Sequence, residues 1–573
     1  MSSMSSMSSV RSRRLSIPAA GAGILLFFVF TWPLVYLFSD GFKTPDGRFT
    51  LAYLVQLLGD PSFYRVIANT IIVNTGGTLL AASLGILFAF LIAYTDLPCK
   101  PLIHNLLLVP LVIPGYIITL AWMQTLGQGS LIYRLTHFPL YSHWGIILIF
   151  GVCNYPLLYL LALNNFRKIS RELEQAATVS GCRKWSVFFH VTLPLSAGIL
   201  INAMLLIFLS CLDNFGTVAF IGIPANITVL STDIYKAVTS FSHDSFGSAA
   251  IRAIFLSLIA FGLMWASGRT TGGLHSVMAE KEDMSVRCSL GKFRIPLLCA
   301  ALLILALINI MPLMTLVMTS LTKAMGVPFR PDTVTLANFE KIFRNSKCLN
   351  GLKNSLVLAM GSVSVCAVLG ITVSYGTLRR KSKLCGILQH LLTFPYSIPG
   401  IILGLGLILT FAKPVFGISI YGSIWILLLA YIIRFTAVIL CACNSAFATL
   451  DPAMEEAGMS CGAAAPSIWK QIILPLTSAP VLSGMGLVFL SSLMELTTSS
   501  ILWSAGSETV GVVIFNFTSA GKTNMASAYS TVILLLAAIG FGLLKLSGWL
   551  AEWVRVRPAV RAACFTNERS MQS

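Results

Sequence analysis

Charge is what this chain has least of. Only 10% of its 573 residues are Asp, Glu, Lys or Arg, less than half the usual share of a soluble domain, and 56% are apolar. Acids are the scarcer sign, 21 against 39 Lys and Arg. Histidine is scarce too, seven in all and mostly outside the apolar runs. That leaves little for a His-rich metal centre, or for a nucleophile paired with a base inside a membrane. No polar block is large enough for a separate catalytic domain. The thirteen cysteines are scattered, and only Cys441 and Cys443 lie close, at a spacing that is not a usual metal-ligand pair. They read as small packing residues. Gly521-Lys522-Thr523 imitates the end of a phosphate-binding loop, but the glycine required five positions earlier is Asn516. The chain is therefore expected to bind no ATP and no other cofactor, and to be a transport component rather than an enzyme.

In place of charge stand apolar runs of about 20 residues, each able to cross a bilayer core roughly 30 Å thick as a helix. The expected fold is an all-α integral membrane protein with about twelve spans. Six lie at 19–38, 67–94, 106–127, 145–163, 195–212 and 249–266, and six more at 297–321, 355–375, 388–412, 424–446, 476–493 and 526–546. The run at 19–38 is long for a signal peptide and no small-residue cleavage pattern follows it. The domains read as a disordered start over 1–18, a first half over 19–268, a polar linker over 269–294, a second half over 295–550 and a tail over 551–573. An even number of spans puts both termini on one side. Arg11, Arg13, Arg14, Arg167, Lys168, the cluster Arg379 to Lys383, Arg555 and Arg557 make that side the cytoplasm. The net charge of +18 thus reports topology and lipid contact, not a nucleic-acid partner.

The chain repeats. Gln175-Ala176-Ala177 is followed by Gly181 six positions after Gln175, and by Pro194 thirteen after that. Glu456-Ala457-Gly458, Gly462 and Pro475 follow the same spacing, 281 residues on. Each copy is a polar island, over about 167–194 and 447–475, between a fourth and a fifth span of its half. In each, a short helix with acids in its first turn (Glu172 and Glu174; Glu455 and Glu456) should end at the glycine, and the proline should open the next span. Pro110, Pro114 and Gly115 return as Pro395, Pro399 and Gly400, each shifted by 285. Matching order and an even span count make the halves parallel repeats about an axis along the membrane normal. The Pro-Gly pairs read as packing positions ahead of helix breaks.

The island pattern resembles the EAA loop of membrane subunits of ABC importers, and both halves resemble the binding-protein-dependent transport permease domain, fused in tandem over about 51–550. The resemblance implies a type I importer permease in the bacterial inner membrane. It implies that each island docks on one ATPase subunit of a homodimer, that ATP and Mg are bound by that partner, and that an extracytoplasmic binding protein delivers the cargo. The coupling residues carried over are Glu174, Gln175, Ala176, Ala177, Gly181, Pro194, Glu455, Glu456, Ala457, Gly462 and Pro475. Gln175 departs from the motif glutamate, with Glu174 beside it as a partial source of the charge, and Gly458 departs from the second alanine.

Candidate pathway residues are Asp213, Asn214 and Glu495, near the outer ends of the fifth and eleventh spans, with Asn214 and Glu495 equivalent at the 281 shift. Acids there can line a pathway or stay hydrated at the interface. Arg252 and Arg434 suit structural ion pairs. The segment from Leu212-Asp213-Asn214-Phe215-Gly216 to Ile234-Tyr235 resembles the fused ferric iron permeases, and a hard ferric ion would suit oxygen ligands such as Asp213 and Glu495. Thiamine, phosphonate and polyamine importers share the loops and stay open. A gradient-driven carrier is the rival from another class, and would transport without any ATPase.

Overall fold

The computed structural model describes residues 23–542, except 24, 45, 128–129, 241–244, 271–282, 284, 325–326, 328, 415–416, 418 and 541. The expected segment 1–18, the tail 551–573 and residues 271–282 of the linker lie outside the described residues, as do the first residues of the run at 19–38. Among the described residues there are helices and three isolated β-bridges but no named strand. Among the described residues nine helices are long and apolar enough to cross a membrane, and two further pairs qualify together across a sharp bend.

In the first half the principal helices are α1 (Trp32–Asp40), α2 (Pro61–Tyr94), α3 (Lys100–Val112), α4 (Gly115–Leu126), α5 (His143–Lys168), α6 (Arg171–Val179), α7 (Phe188–Asp213), α8 (Phe215–Ile221), α9 (Leu230–Thr239) and α10 (Ser245–Thr270). The second half has α11 (Gly291–Ser320), α12 (Ser346–Leu378), α13 (Lys383–Ser397), α14 (Gly400–Phe411), α15 (Ile424–Ala448), α16 (Pro452–Ser460), α17 (Ala465–Leu493), α18 (Val510–Ser519) and α19 (Thr523–Gly540).

Helices α2 and α12 start earlier than hydropathy alone suggests. Asp60 caps α2 by accepting from the Ser62 N–H at 2.8 Å, and Asn345 caps α12 by accepting from the Lys347 N–H at 2.9 Å. At 34 and 33 residues each helix runs about 50 Å, well beyond the bilayer core. Each packs along the fourth span of its half, α5 or α15, where Gly85 and Gly370 let the backbones close in: a Cβ at Gly85 would stand 2.9 Å from the Tyr159 nitrogen, and one at Gly370 would stand 3.0 Å from Ile439.

The third and ninth spans are not continuous, contrary to the packing role expected of their Pro-Gly pairs. Helix α3 turns into α4 by 104°, and α13 into α14 by 109°. Proline forces the preceding residue out of helical conformation. Ile113 (φ −101°, ψ 131°) and Ile398 (φ −104°, ψ 131°) take the same extended geometry. The helix after each break crosses to the other half: α4 packs on the end of α11, and α14 packs on α1. The two halves are interlocked by this exchange.

The island prolines stand at the start of the α-helical stretch of their spans, as expected: Pro194 opens Leu193–Asp213 and Pro475 opens Leu474–Leu493, and a π-turn, Phe188–Thr192 or Trp469–Ile473, joins each stretch to its island. The wider turn accommodates the bond that a proline cannot donate.

Candidate coupling and pathway sites

The two islands fold alike. Ser170 accepts from the Glu172 N–H at 3.2 Å to start α6, and Asp451 accepts from the Ala453 N–H at 2.9 Å to start α16. Each helix ends in a Schellman turn. In the first, the Gly181 N–H donates to Thr178 O and the Cys182 N–H to Ala177 O. In the second, the Gly462 N–H donates to Met459 O and the Ala463 N–H to Gly458 O. Gly181 has φ +94° and Gly462 φ +80°, the left-handed region that such a turn requires.

The acid next to the motif position is the one that turns inward. Gln175, Glu456, Ala176 and Ala457 are exposed and Ala177 is half-buried, whereas Glu174 is buried and Glu455 half-buried. Glu174 Oε1 accepts from the Tyr94 hydroxyl at 2.6 Å and the Thr192 hydroxyl at 2.7 Å, and Oε2 pairs with Arg287 Nη1 at 3.0 Å. In the second island the Tyr375 hydroxyl donates to Glu455 Oε2 at 3.1 Å, and Arg379 Nε lies 3.3 Å from Oε1. Glu174 therefore cannot supply charge at the exposed face: it is spent on Arg287, so residue 175 is neutral where residue 456 is anionic. Beside the first island lies a cavity of about 370 Å³, lined by Phe90, Glu174, Gln175, Thr178, Phe188 and Arg287 among others. Tyr94 and Tyr375, which the sequence reading passed over, are themselves 281 apart, so the repeat carried a signal for them. Arg287 has no such counterpart.

The pathway candidates meet beside the middle of α15. Asp213 ends α7, Glu495 follows α17, and both pair with Arg434, which lies ten residues into α15, about 15 Å along its axis. Arg434 Nε is 3.4 Å from Glu495 Oε2, and Arg434 Nη1 donates to the Thr498 hydroxyl at 3.0 Å. Asp213 Oδ1 also accepts from the Gly400 N–H at 2.7 Å, at the start of α14. One guanidinium and two carboxylates thus tie the halves together where the ninth span breaks. Both carboxylates are engaged by Arg434 in this structure. Asn214, Tyr116 and Gly115 complete a cavity of about 210 Å³ over the cluster. At the 281 shift Cys153 stands for Arg434 and Asn214 for Glu495, so the first half holds the same place without charge. Arg252 makes the structural ion pair expected of it, with Asp233 at 2.6 Å.

Two interlocked helical halves, each with a broken third span and a polar island beside its fifth, with a polar cavity between them, define a membrane permease. The chain belongs to the family of binding-protein-dependent transport system inner membrane components, which matches residues 81–269 and again 367–556. It is thus a multi-pass inner-membrane permease of the ABC importer class. It is 24% identical over 506 residues to the probable ABC transporter permease protein y4fN of Sinorhizobium fredii, covering 84% of this chain and 86% of the relative. It is 24% identical over 496 residues to the Fe(3+)-transport system permease protein FbpB 2 of Haemophilus influenzae, covering 86% and 91%. Its likeness to the molybdenum transport system permease protein ModB of Escherichia coli is 27% over 216 residues, covering 36% of this chain and 93% of the relative.

Proposed function

We propose that this permease imports ferric iron delivered by an extracytoplasmic binding protein, driven by ATPase subunits that dock on the two islands from the cytoplasm. The observation that carries the coupling role is the duplicated island: the same cap, the same Schellman turn and the same inward acid beneath a tyrosine, with Gln175 or Glu456 left exposed for a partner. The iron reading rests on likeness along most of both chains to a relative named for Fe(3+) transport. A stretch covering 36% of this chain is also similar to a molybdenum permease, which makes molybdate the second reading. On either reading the chain supplies the path, and ATP and Mg belong to the partner.

The test is uptake of radiolabelled ferric iron and of molybdate into vesicles holding the full chain with its ATPase and binding protein. Iron uptake that requires ATP supports the proposal. Uptake of molybdate alone would replace the cargo and keep the importer, and uptake indifferent to ATP would remove the coupling role of the islands.

A further inference from the structure

Both islands hold an inward carboxylate beneath a tyrosine, and both meet it with a guanidinium, but the two guanidinia come from different parts of the chain. In the second half Arg379 stands four residues after Tyr375. The same place in the first half, four residues after Tyr94, is Pro98, which carries no charge. Arg287 fills it instead, arriving from the linker between the halves.

The linker is sewn to the island around that contact. The Arg287 and Cys288 N–H groups both donate to the Tyr94 carbonyl, at 3.0 and 2.8 Å, and the Leu290 N–H donates to Asp96 Oδ1 at 2.8 Å. On the approach to α6, Asp283 N–H donates to Arg167 O at 2.8 Å, Arg287 Nη2 donates to Ile169 O at 2.8 Å, and Arg171 Nη1 donates to the Ser285 hydroxyl at 3.2 Å. The residues that lead into the island helix are thus held by the linker from three sides.

We propose that the linker around Arg287 is a working part of the first island, with Arg287 the positioning residue that fixes α6 against the end of α2. The first half then couples to its ATPase only while the linker is docked, whereas the second half is self-contained. The proposal rests on the reading of the islands as ATPase docking sites. Its physical basis is the cost of a lone buried carboxylate. Without Arg287, Glu174 must take up a proton or turn outward, and turning outward rotates α6 and moves the exposed Gln175 face.

The test uses the full chain with its ATPase and binding protein in vesicles, and reads cargo-stimulated ATP hydrolysis and uptake for Arg287→Gln, Arg379→Gln and the double variant Glu174→Gln/Arg287→Gln. Arg287→Gln should lower coupled uptake by about tenfold or more, and the double variant, which leaves no buried charge, should recover most of it. Arg287→Lys keeps the charge but not the two-pronged reach to Glu174 and Ile169, and should fall between. If Arg287→Gln does not accumulate in the membrane, Arg287→Lys against the double variant carries the same comparison. A normal Arg287→Gln beside an impaired Arg379→Gln would overturn this inference and leave the coupling role standing. A double variant as impaired as the single would overturn it as well. ATP-coupled uptake untouched by either arginine would remove both.

Discussion

Gly181 and Gly462 show how much one residue decides. Nothing lies within 4 Å of where a Cβ would stand at either, so a larger side chain meets no clash and the cost is confined to the backbone, at φ +94° and +80°. For a β-branched residue that cost is about 1 to 2 kcal/mol. Gly181→Val and Gly462→Val should therefore leave membrane yield and thermal midpoint nearly unchanged while the island helix loses its Schellman turn and coupled uptake falls. Asparagine, which tolerates this conformation, should be the mildest replacement. A large drop in thermal midpoint for Gly181→Val would contradict this placement. Arg434 is the opposite case. Its removal leaves Asp213 and Glu495 facing one another inside the protein, and breaking a buried pair in this way costs about 3 to 5 kcal/mol. Arg434→Ala should lower the thermal midpoint in detergent clearly, and adding Asp213→Asn and Glu495→Gln should restore much of it. Cys153 and Asn214 in the first half show that the fold supports this place without charge.

Among the elements, the spans were legible because hydropathy and the 281 to 285 shifts report them directly. The breaks were not. A proline in an apolar run is compatible with a kink, a cap or a full turn, and only the extended Ile113 and Ile398 decide for a turn beyond 100°. The pairing of Asp213 was hidden for a similar reason: hydropathy cannot see that α7 stops beside the middle of α15, at Arg434. Arg287 was hidden because a composition shift marks a linker without saying where it docks. That docking has a pH signature. The Leu290 N–H first, and then Arg294, hold the Asp96 carboxyl below the usual range, and the Ser285 hydroxyl and N–H do the same for Asp283. A lowered folded value means that the contribution is complete above the unfolded value, about 3.9, and is lost as pH falls through the folded one. Exchange protection of the Leu290 N–H should thus be steady from neutral pH to about 5 and fall below about 4. In Asp96→Asn that fall should be absent. Protection that falls instead near pH 6 would point to another group.

At the scale of the molecule, the proposed coupling role requires both islands to face the cytoplasm, the side to which the Lys and Arg bias of the sequence assigns them. The islands carry their own reporters. Cys182 follows Gly181 and Cys461 precedes Gly462, and both are exposed. In versions of the chain that keep one of these as the sole cysteine, a membrane-impermeant maleimide should label inside-out vesicles and leave intact spheroplasts unlabelled. Adding the ATPase should then slow labelling of both, because each thiol lies at the end of an island helix whose exposed face is offered to a partner. Labelling from the outside would invert the topology and take the islands away from any ATP-hydrolysing subunit. Protection of Cys461 alone would show that the second island docks without the first. The neutral Gln175, set against the anionic Glu456, would then be the difference to exchange, with Gln175→Glu as the variant expected to bring protection to Cys182.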